Sequence, residues 1–169
     1  MGHRYRPPAA KKSPYITAQG FQALQEEFSA LWERRAVVTQ ALSEAAAEGD
    51  RSENAEYIYR KKELREIDRR IRYLQKRLPE LTIVKQLPTE RERVYFSAWV
   101  TLEDADGQSY RYRIVGPDEI DPERNLISMD SPMARALMKR SLDDEVTVMT
   151  PRGEREYVIV DVSYDEPEA

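Results

Sequence analysis

A short stretch, Glu48-Gly-Asp-Arg-Ser-Glu-Asn54, decides the fold because it separates two long segments that share one hydrophobic pattern. In both segments apolar residues recur at alternating intervals of three and four. Before the break these positions hold Phe21, Leu24, Phe28, Leu31, Arg35, Val38, Leu42 and Ala45. After it they hold Tyr57, Arg60, Leu64, Ile67, Ile71, Leu74, Leu78 and Leu81. A sustained period of 3.5 residues, broken only by one arginine in each segment, is typical of a coiled coil.

The break is too short to connect parallel helices, so the two segments are predicted to form an antiparallel hairpin. Thr17 is suited to cap the first helix, and Pro79 marks where the second begins to end. A helix of about 30 residues is about 45 Å long, longer than a small domain is wide. The hairpin is therefore predicted to project, with the break at its tip. The alternative, two helices lying flat on a globular core, fits less well because each helix has one apolar stripe.

Two carboxylates, Asp50 and Glu53, lie at this predicted tip, and their spacing has two interpretations. Asp50 could be the N-cap of the second helix with Glu53 completing a capping box, while Gly49 ends the first helix. The same helix start would also hold two hard oxygen ligands close together. Mg²⁺ usually takes only one or two carboxylates, so the pair would be an incomplete site that supplements ligands on a partner. Spacing alone leaves both interpretations open and favours capping.

The second helix is rich in basic residues. Arg65, Arg69, Arg72 and Lys76 recur at helical spacing and form what we call the basic stripe, while Arg60, Lys61 and Lys62 lie nearer the tip. One interpretation is a solvated coiled-coil flank with ion pairs such as Glu66 to Arg70. The other is a surface for a nucleic-acid strand, with phosphates on the basic groups. For a stacked base, Tyr59 is the better candidate, because Tyr57 lies on the predicted seam.

Beyond Pro88 the hydrophobic period changes from 3.5 to 2, which predicts strands. The expected order is a strand over 94–102, a turn at Asp106-Gly107, a strand over 110–115, and a short strand over 126–129. A helix follows, capped by Asp130 or Ser131 with Pro132 in its first turn. A hairpin of strands over 146–149 and 156–162 completes a small α+β domain. Because this part has no phosphate loop, nucleophile elbow or histidine-based site, a binding role fits it better than catalysis.

Composition excludes several classes of protein. The chain has 169 residues, no cysteine and one histidine, His3, so thiolate zinc sites, disulfides and cysteine nucleophiles are ruled out. The net charge of −4 is uneven: residues 1–16 carry four basic groups and no acid, whereas residues 82–169 carry 11 basic and 19 acidic groups. This balance argues against general duplex DNA binding but allows a local basic face. With no apolar run fit for a signal peptide or a membrane span, a cytoplasmic protein is expected.

Two long motifs, in order, resemble the Gre transcript-cleavage factors. The first runs Gly49-Asp-Arg-Ser-Glu-Asn-Ala-Glu-Tyr57 and continues through Lys61-Lys-Glu-Leu-Arg-Glu-Ile-Asp-Arg-Arg-Ile-Arg-Tyr-Leu74. The second combines Ala98-Trp-Val, Arg113-Ile-Val-Gly-Pro-Asp-Glu-Ile120 and Ile127-Ser-Met-Asp-Ser-Pro-Met-Ala-Arg-Ala-Leu137. The resemblance covers about residues 14–163. Residues 1–13 do not align, and Pro117 stands where the family commonly has an aromatic residue.

The resemblance implies a fold, a partner and a role for the candidate residues. The fold would be α+β, an N-terminal antiparallel coiled coil followed by an FKBP-like domain. The partner would be the core enzyme of bacterial RNA polymerase. The factor would act as a monomer, and its coiled coil would enter the secondary channel of the polymerase. Asp50 and Glu53 would help hold a Mg²⁺ ion shared with the polymerase, which then cleaves the RNA of a backtracked complex. The segment Asp130-Ser131-Pro132, here called the docking loop, would contact the polymerase. Arg60, Lys61, Lys62, Arg65, Arg69 and Arg72 would contact the RNA 3′ end.

The predicted organisation is a basic extension over 1–13, expected to be flexible, a hairpin domain over 14–84 with its acidic tip at 49–54, a globular domain over 89–164 and an acidic tail over 165–169. The chain is expected to activate the polymerase's own hydrolysis rather than to be an enzyme. Three other functions stay open: a non-catalytic channel regulator that competes with other factors, a stand-alone nuclease, and a peptidyl-prolyl isomerase. The last would rest on fold analogy alone.

Overall fold

The protein's computed structural model describes residues 9–48 and 54–164. Contacts divide the chain into two units: Ala18–Leu81 form the first, and the segments up to Thr17 and from Thr82 form the second. Residues 14–17 and 82–84 thus group with the globular domain, whereas the predicted boundary placed them with the hairpin. The two segments pair with each other as short strands, and the first is bound to the globular domain, for example by the hydrogen bond from the Thr17 N–H to Glu119 at 3.1 Å.

The first unit is a pair of long helices, α1 (Ala18–Ala47) and α2 (Ala55–Arg77). A 3-10 turn over Leu78–Glu80, which contains Pro79, follows α2 and confirms the predicted end of that helix. Every predicted seam position in both helices is buried or half-buried. Val38, Ile67 and Ile71 form the centre of this seam, with Phe28, Leu31 and Leu64 packed against it. Hydrophobic burial along the 3.5-residue stripe is therefore what joins the helices.

Cross-helix ion pairs show that the helices run antiparallel. Glu27 pairs with Arg70, and Arg34 pairs with Glu63, each at 2.6 Å. As the residue number rises along α1, the number of its partner falls along α2, which confirms the predicted hairpin. The arginines at seam positions are also paired, because a buried or half-buried charge needs a partner. Arg35 reaches Asp68 at 2.7 Å, and Arg60 lies between Glu56 and Glu63.

The second unit contains two sheets. The smaller is a parallel pair of two-residue strands, β1 (Tyr15–Ile16) and β2 (Thr82–Ile83). The larger is a five-stranded sheet with the order β5-β4-β3-β7-β6. Its strands are β3 (Trp99–Asp104), β4 (Ser109–Val115), β5 (Leu126–Ser128), β6 (Glu145–Thr150) and β7 (Gly153–Ser163). A short helix, α3 (Pro132–Leu137), precedes β6 and packs near it.

The predicted strand over 94–102 is wrong in its first half. β3 begins only at Trp99, because Ser97 adopts a left-handed backbone conformation, with φ of 72°. A turn precedes it, in which the Ala98 N–H donates to the Tyr95 carbonyl at 3.2 Å. Val94 and Ala98 are nevertheless fully buried. Burial in a turn thus produced an apolar pattern that resembles a strand.

The core of the second unit lies between the large sheet and α3. Val100, Leu102, Ile114, Leu137 and Ile159 are all fully buried there. The order of elements, a helical hairpin followed by a sheet with one short helix, confirms the predicted α+β class. None of the helices in the described part of the chain has the length and hydrophobicity needed to cross a membrane.

The ion pairs of Glu63 predict how hairpin stability depends on pH. Hydrogen bonding to Arg34 is the main reason why the pKa of Glu63 lies below its ordinary value of 4.5, and Arg60 lowers it further. A carboxyl whose pKa is depressed by folding stabilises the folded state above its unfolded pKa. That contribution is lost as the pH falls through the folded pKa. We expect Glu63→Gln to lower the Tm at neutral pH by roughly 1–2 °C, as for a partly exposed ion pair.

Thermal unfolding, followed by the helical circular dichroism signal at a series of pH values, checks this. The difference in Tm between wild type and Glu63→Gln should shrink as the solution is acidified below the ordinary Glu pKa. Glu66→Gln is the matched control, because Glu66 is exposed and makes no ion pair within the described residues. If the two substitutions lower the Tm equally, or if the difference in Tm does not change with pH, the ion pairs of Glu63 do not stabilise the hairpin in this way.

Candidate functional surfaces

The loop end of the hairpin is organised by Asn54. Its side-chain oxygen accepts a hydrogen bond from the Tyr57 N–H at 3.1 Å, which makes it the N-cap of α2. Its amide nitrogen also donates to the carbonyl of Ala45 at 2.7 Å, within the last turn of α1. One side chain therefore satisfies backbone groups at the end of one helix and the start of the next, where such groups have no partner within their own helix.

This cap changes the interpretation of the acidic tip. The capping-box prediction for Asp50 and Glu53 is wrong, because α2 begins at Ala55 and Asn54 is its N-cap. The third helical position, where a capping box needs Glu or Gln, is held by Tyr57. Asp50 and Glu53 themselves, and Gly49, lie outside the described residues. Capping of α2 therefore no longer accounts for the presence of the two carboxylates.

The basic stripe of α2 lies on the side of the helix away from α1. Each of its members follows a seam position by one or two residues, which places it roughly 100–200° around the helix from the seam. Arg65, Arg69, Arg72 and Lys76 are all exposed, and none of them takes part in an ion pair within the described part of the chain. The predicted intrahelical pair of Glu66 and Arg70 is not formed. Arg70 is instead bound by Glu27 of α1 through two hydrogen bonds, at 2.6 and 2.9 Å.

The predicted RNA-contacting residues near the tip differ in their surroundings. Lys61 and Lys62 are exposed. Arg60 is half-buried, and its guanidinium is hydrogen-bonded to Glu56 at 2.9 Å and to Glu63 at 3.0 Å. The two carboxylates therefore balance its charge locally. Arg60 differs in this respect from the stripe, whose members form no ion pair with described residues.

The two tyrosines at the start of α2 are exposed to different extents. Tyr59 is 60% exposed, and the Arg60 guanidinium lies 5.5 Å from the centre of its ring. Tyr57 is half-buried on the seam, where the Lys61 ammonium approaches its ring at 5.7 Å. An exposed ring flanked by cations is suited to stack on a nucleobase, whereas a seam ring is not. The preference for Tyr59 over Tyr57 therefore agrees with their exposure.

The docking loop lies between β5 and α3. Ser131 is the N-cap of α3, since its hydroxyl accepts a hydrogen bond from the Ala134 N–H at 3.2 Å, and Pro132 is the first helical residue. Of the two predicted capping residues, the structure thus selects Ser131. The carboxylate of Asp130 is bound instead by Ser13, whose N–H lies 3.0 Å from one oxygen and whose hydroxyl lies 2.5 Å from the other. The residues of the predicted polymerase contact are therefore held by both local and long-range hydrogen bonds.

Two residues of these surfaces were not predicted from the sequence. Asn54 is an ordinary helix-capping residue three positions before Tyr57, so a search for caps later in the break would have found it. Ser13 gives no such local signal, since its partner Asp130 is distant in the chain. Within residues 9–48 and 54–164, no group of three or more histidine, aspartate or glutamate side chains is arranged to hold a metal ion.

Comparisons with known proteins cover both units. A family model described as the N-terminal domain of transcription elongation factors matches residues 14–83, and one described as "Transcription elongation factor, GreA/GreB, C-term" matches residues 88–164. The transcription elongation factor GreB of Pseudomonas aeruginosa is 59% identical over 162 residues, which cover 95% of this chain and 96% of that protein. GreB of Yersinia pestis is 58% identical over 154 residues, which cover 90% of each.

A solved structure also aligns with the chain. It is that of GreA factor homolog 1, Gfh1, of Thermus thermophilus, with 26% sequence identity and coverage of 89% of this chain and 99% of that one. Its TM-score of 0.42 is too low to support a comparison of the two folds. The sequence matches therefore carry the assignment to a family.

Proposed function

The chain belongs to the GreA/GreB family of transcription elongation factors, and on that basis we propose that it binds RNA polymerase through the secondary channel and stimulates cleavage of backtracked RNA. The polymerase's own active site performs the cleavage, and this chain acts as its cofactor, as a monomer in the cytoplasm. The observation that carries the proposal is the match of both units to the family at 59% identity to a GreB protein. The surfaces of the molecule supply further support.

We assign the catalytic contribution to Asp50 and Glu53. Because Asn54 caps α2, the two acids are not needed as its capping box. Carboxylate oxygens are suitable ligands for Mg²⁺, and two of them leave room for ligands from the polymerase and for water. When bound, the shared ion would supply the positive charge that activates a water and stabilises the leaving oxygen in phosphodiester hydrolysis. The role of this chain is to bring two carboxylates, as metal ligands, to a place where the polymerase lacks them.

The basic stripe is assigned to the backtracked RNA. Its exposed cations form no ion pair with a described acid, so they can attract RNA phosphates. Lys61 and Lys62 extend this positive surface toward the loop end of the hairpin, and Tyr59 offers a ring for one base. Arg60 contributes less to the net attraction, because Glu56 and Glu63 already bind its guanidinium. We place the RNA 3′ end along this outer face of α2.

The docking loop is assigned to contact with the polymerase. Asp130, Ser131 and Pro132 are half-buried or exposed at the start of α3, and Ser131 and Pro132 fix the backbone there as cap and first residue. A backbone held in this way loses little conformational freedom on binding, which favours affinity. The carboxylate of Asp130 would accept hydrogen bonds from N–H donors of the polymerase.

The role of the tip predicts a loss of activity without a loss of binding. With Asp50→Asn and Glu53→Gln combined, the chain should still bind polymerase but should lose at least about 100-fold in cleavage rate, because the amides are poor Mg²⁺ ligands. The measurement is release of short 3′ fragments from a stalled, backtracked complex in Mg²⁺, with binding followed separately. Undiminished cleavage by the double variant would contradict the assignment. Inhibition of elongation by the wild type, with no fragments released, would identify a non-catalytic channel regulator instead.

The basic stripe predicts a dependence on the length of backtracked RNA. Reversing Arg65, Arg69 and Arg72 to Glu should weaken cleavage on deeply backtracked complexes about tenfold more than binding to polymerase, and this difference should diminish at high salt. The matched control reverses Arg124, Arg152 and Arg155, which are exposed in the second unit, and changes the net charge equally. If both triple variants behave alike, general charge rather than the stripe is responsible. If binding to polymerase falls as much as cleavage, the stripe contacts the polymerase rather than RNA.

A further inference from the structure

The N-terminal segment, defined here as residues 13–17, is bound to the rest of the second unit by two carboxylates in the same way. The N–H and hydroxyl of Ser13 each donate to one oxygen of Asp130, at 3.0 and 2.5 Å. The N–H of Thr17 donates to one oxygen of Glu119 at 3.1 Å, and the Thr17 hydroxyl donates to the other. At each end of the segment, therefore, one residue fixes both oxygens of a distant acid. Hydrogen bonds to a charged acceptor are about twice as strong as neutral ones.

The middle of the segment is equally constrained. Ile16 is fully buried, and β1 pairs with β2 through hydrogen bonds from Thr82 N–H to the Pro14 carbonyl and from Val84 N–H to the Ile16 carbonyl, at 2.7 and 2.9 Å. Gly116 permits the close passage of this strand, because a Cβ atom there would lie only 2.0 Å from the Tyr15 carbonyl oxygen. The position of Ser13 is thus set by the strand and not by Asp130 alone.

Because the position of Ser13 is fixed, its hydrogen bonds also set the orientation of the Asp130 side chain. In a loop, an aspartate side chain can usually rotate or cap the following helix, but Ser131 already caps α3. The Asp130 N–H is bound by the Ser128 hydroxyl at 3.0 Å, which fixes its backbone, while Ser13 binds its carboxylate. A carboxylate offers about four acceptor positions, so both oxygens can still accept from a partner after they have accepted from Ser13.

We propose that Ser13 is a positioning residue for polymerase binding: it holds the carboxylate of Asp130 in the orientation that accepts hydrogen bonds from cationic or N–H groups of the polymerase. This inference rests on the proposed docking role of Asp130. The N-terminal segment therefore belongs to the docking surface, although it precedes the hairpin in the chain. Loss of the Ser13 hydroxyl removes the bond to one carboxylate oxygen and leaves the Ser13 N–H bond to the other, so the carboxylate is oriented less strictly before binding.

The test is the affinity of the full-length protein for polymerase core enzyme, measured by competition with a labelled wild-type chain. Ser13→Ala should weaken affinity about three- to tenfold, a typical cost of ordering one side chain on binding. At saturating protein, the cleavage rate on a backtracked complex should be unchanged. Ser13→Thr keeps the hydroxyl and should restore the affinity. The matched control is Thr150→Ala, which also removes a hydroxyl hydrogen bond, at 2.8 Å to the Gly153 carbonyl, in an exposed turn between β6 and β7.

A double-variant cycle separates positioning from general stability. If Ser13 acts through Asp130, then Ser13→Ala should have no further effect on affinity in an Asp130→Ala background. The proposal is overturned if the losses of affinity caused by Ser13→Ala and Asp130→Ala add up in the double variant. It is also overturned if Ser13→Ala binds polymerase as tightly as the wild type. An equal loss for Thr150→Ala would also overturn it. If Asp130→Ala itself binds as well as wild type, the docking role fails. If Asp130→Ala weakens binding and Ser13→Ala does not, only the positioning role fails.

Discussion

The continuous hydrophobic seam between α1 and α2 is the constraint on which the arrangement of charge in the first unit depends. Because the seam residues must face each other, every other residue of α2 has a fixed direction. Arg70 is directed to the flank, where Glu27 of α1 binds it, whereas Arg65, Arg69 and Arg72 are directed outward. The same helix therefore contains basic residues that stabilise the hairpin and basic residues that stay available. Sequence spacing, and not the number of arginines, separates the two groups.

At the loop end of the hairpin, the capping of α2 is done by an uncharged side chain and not by a carboxylate. Asn54 caps α2 and binds the Ala45 carbonyl of α1, so it closes the hairpin with neutral groups. A carboxylate used as a cap would spend part of its acceptor capacity on backbone N–H groups, and its charge would be offset by the helix dipole. With the cap supplied by an amide, the start of α2 does not require a carboxylate.

The sequence predicts those features that repeat or that lie close together in the chain. The seam is visible because sixteen positions follow one period, and the turn at Asp106-Gly107 is visible because its residues are adjacent. The start of β3 is not visible in the sequence, since the left-handed conformation of Ser97 is imposed by its surroundings and not by its residue type. The pairing of β1 with β2 is also not predictable by pattern, because two residues in each strand cannot display a period. The bond from Ser13 to Asp130 joins residues 117 positions apart.

The long-range bonds of the N-terminal segment have a consequence for how binding residues should be identified. The candidate docking loop, Asp130-Ser131-Pro132, was recognised from its own motif. The motif does not reveal which group orients its carboxylate, because that group is contributed by the other end of the chain. Affinity depends on such orientation as much as on the contact itself, since each side chain left mobile in the free protein must lose rotational freedom on binding. Ser13, which sequence spacing assigns to no surface, therefore holds the carboxylate of the loop that the motif identifies.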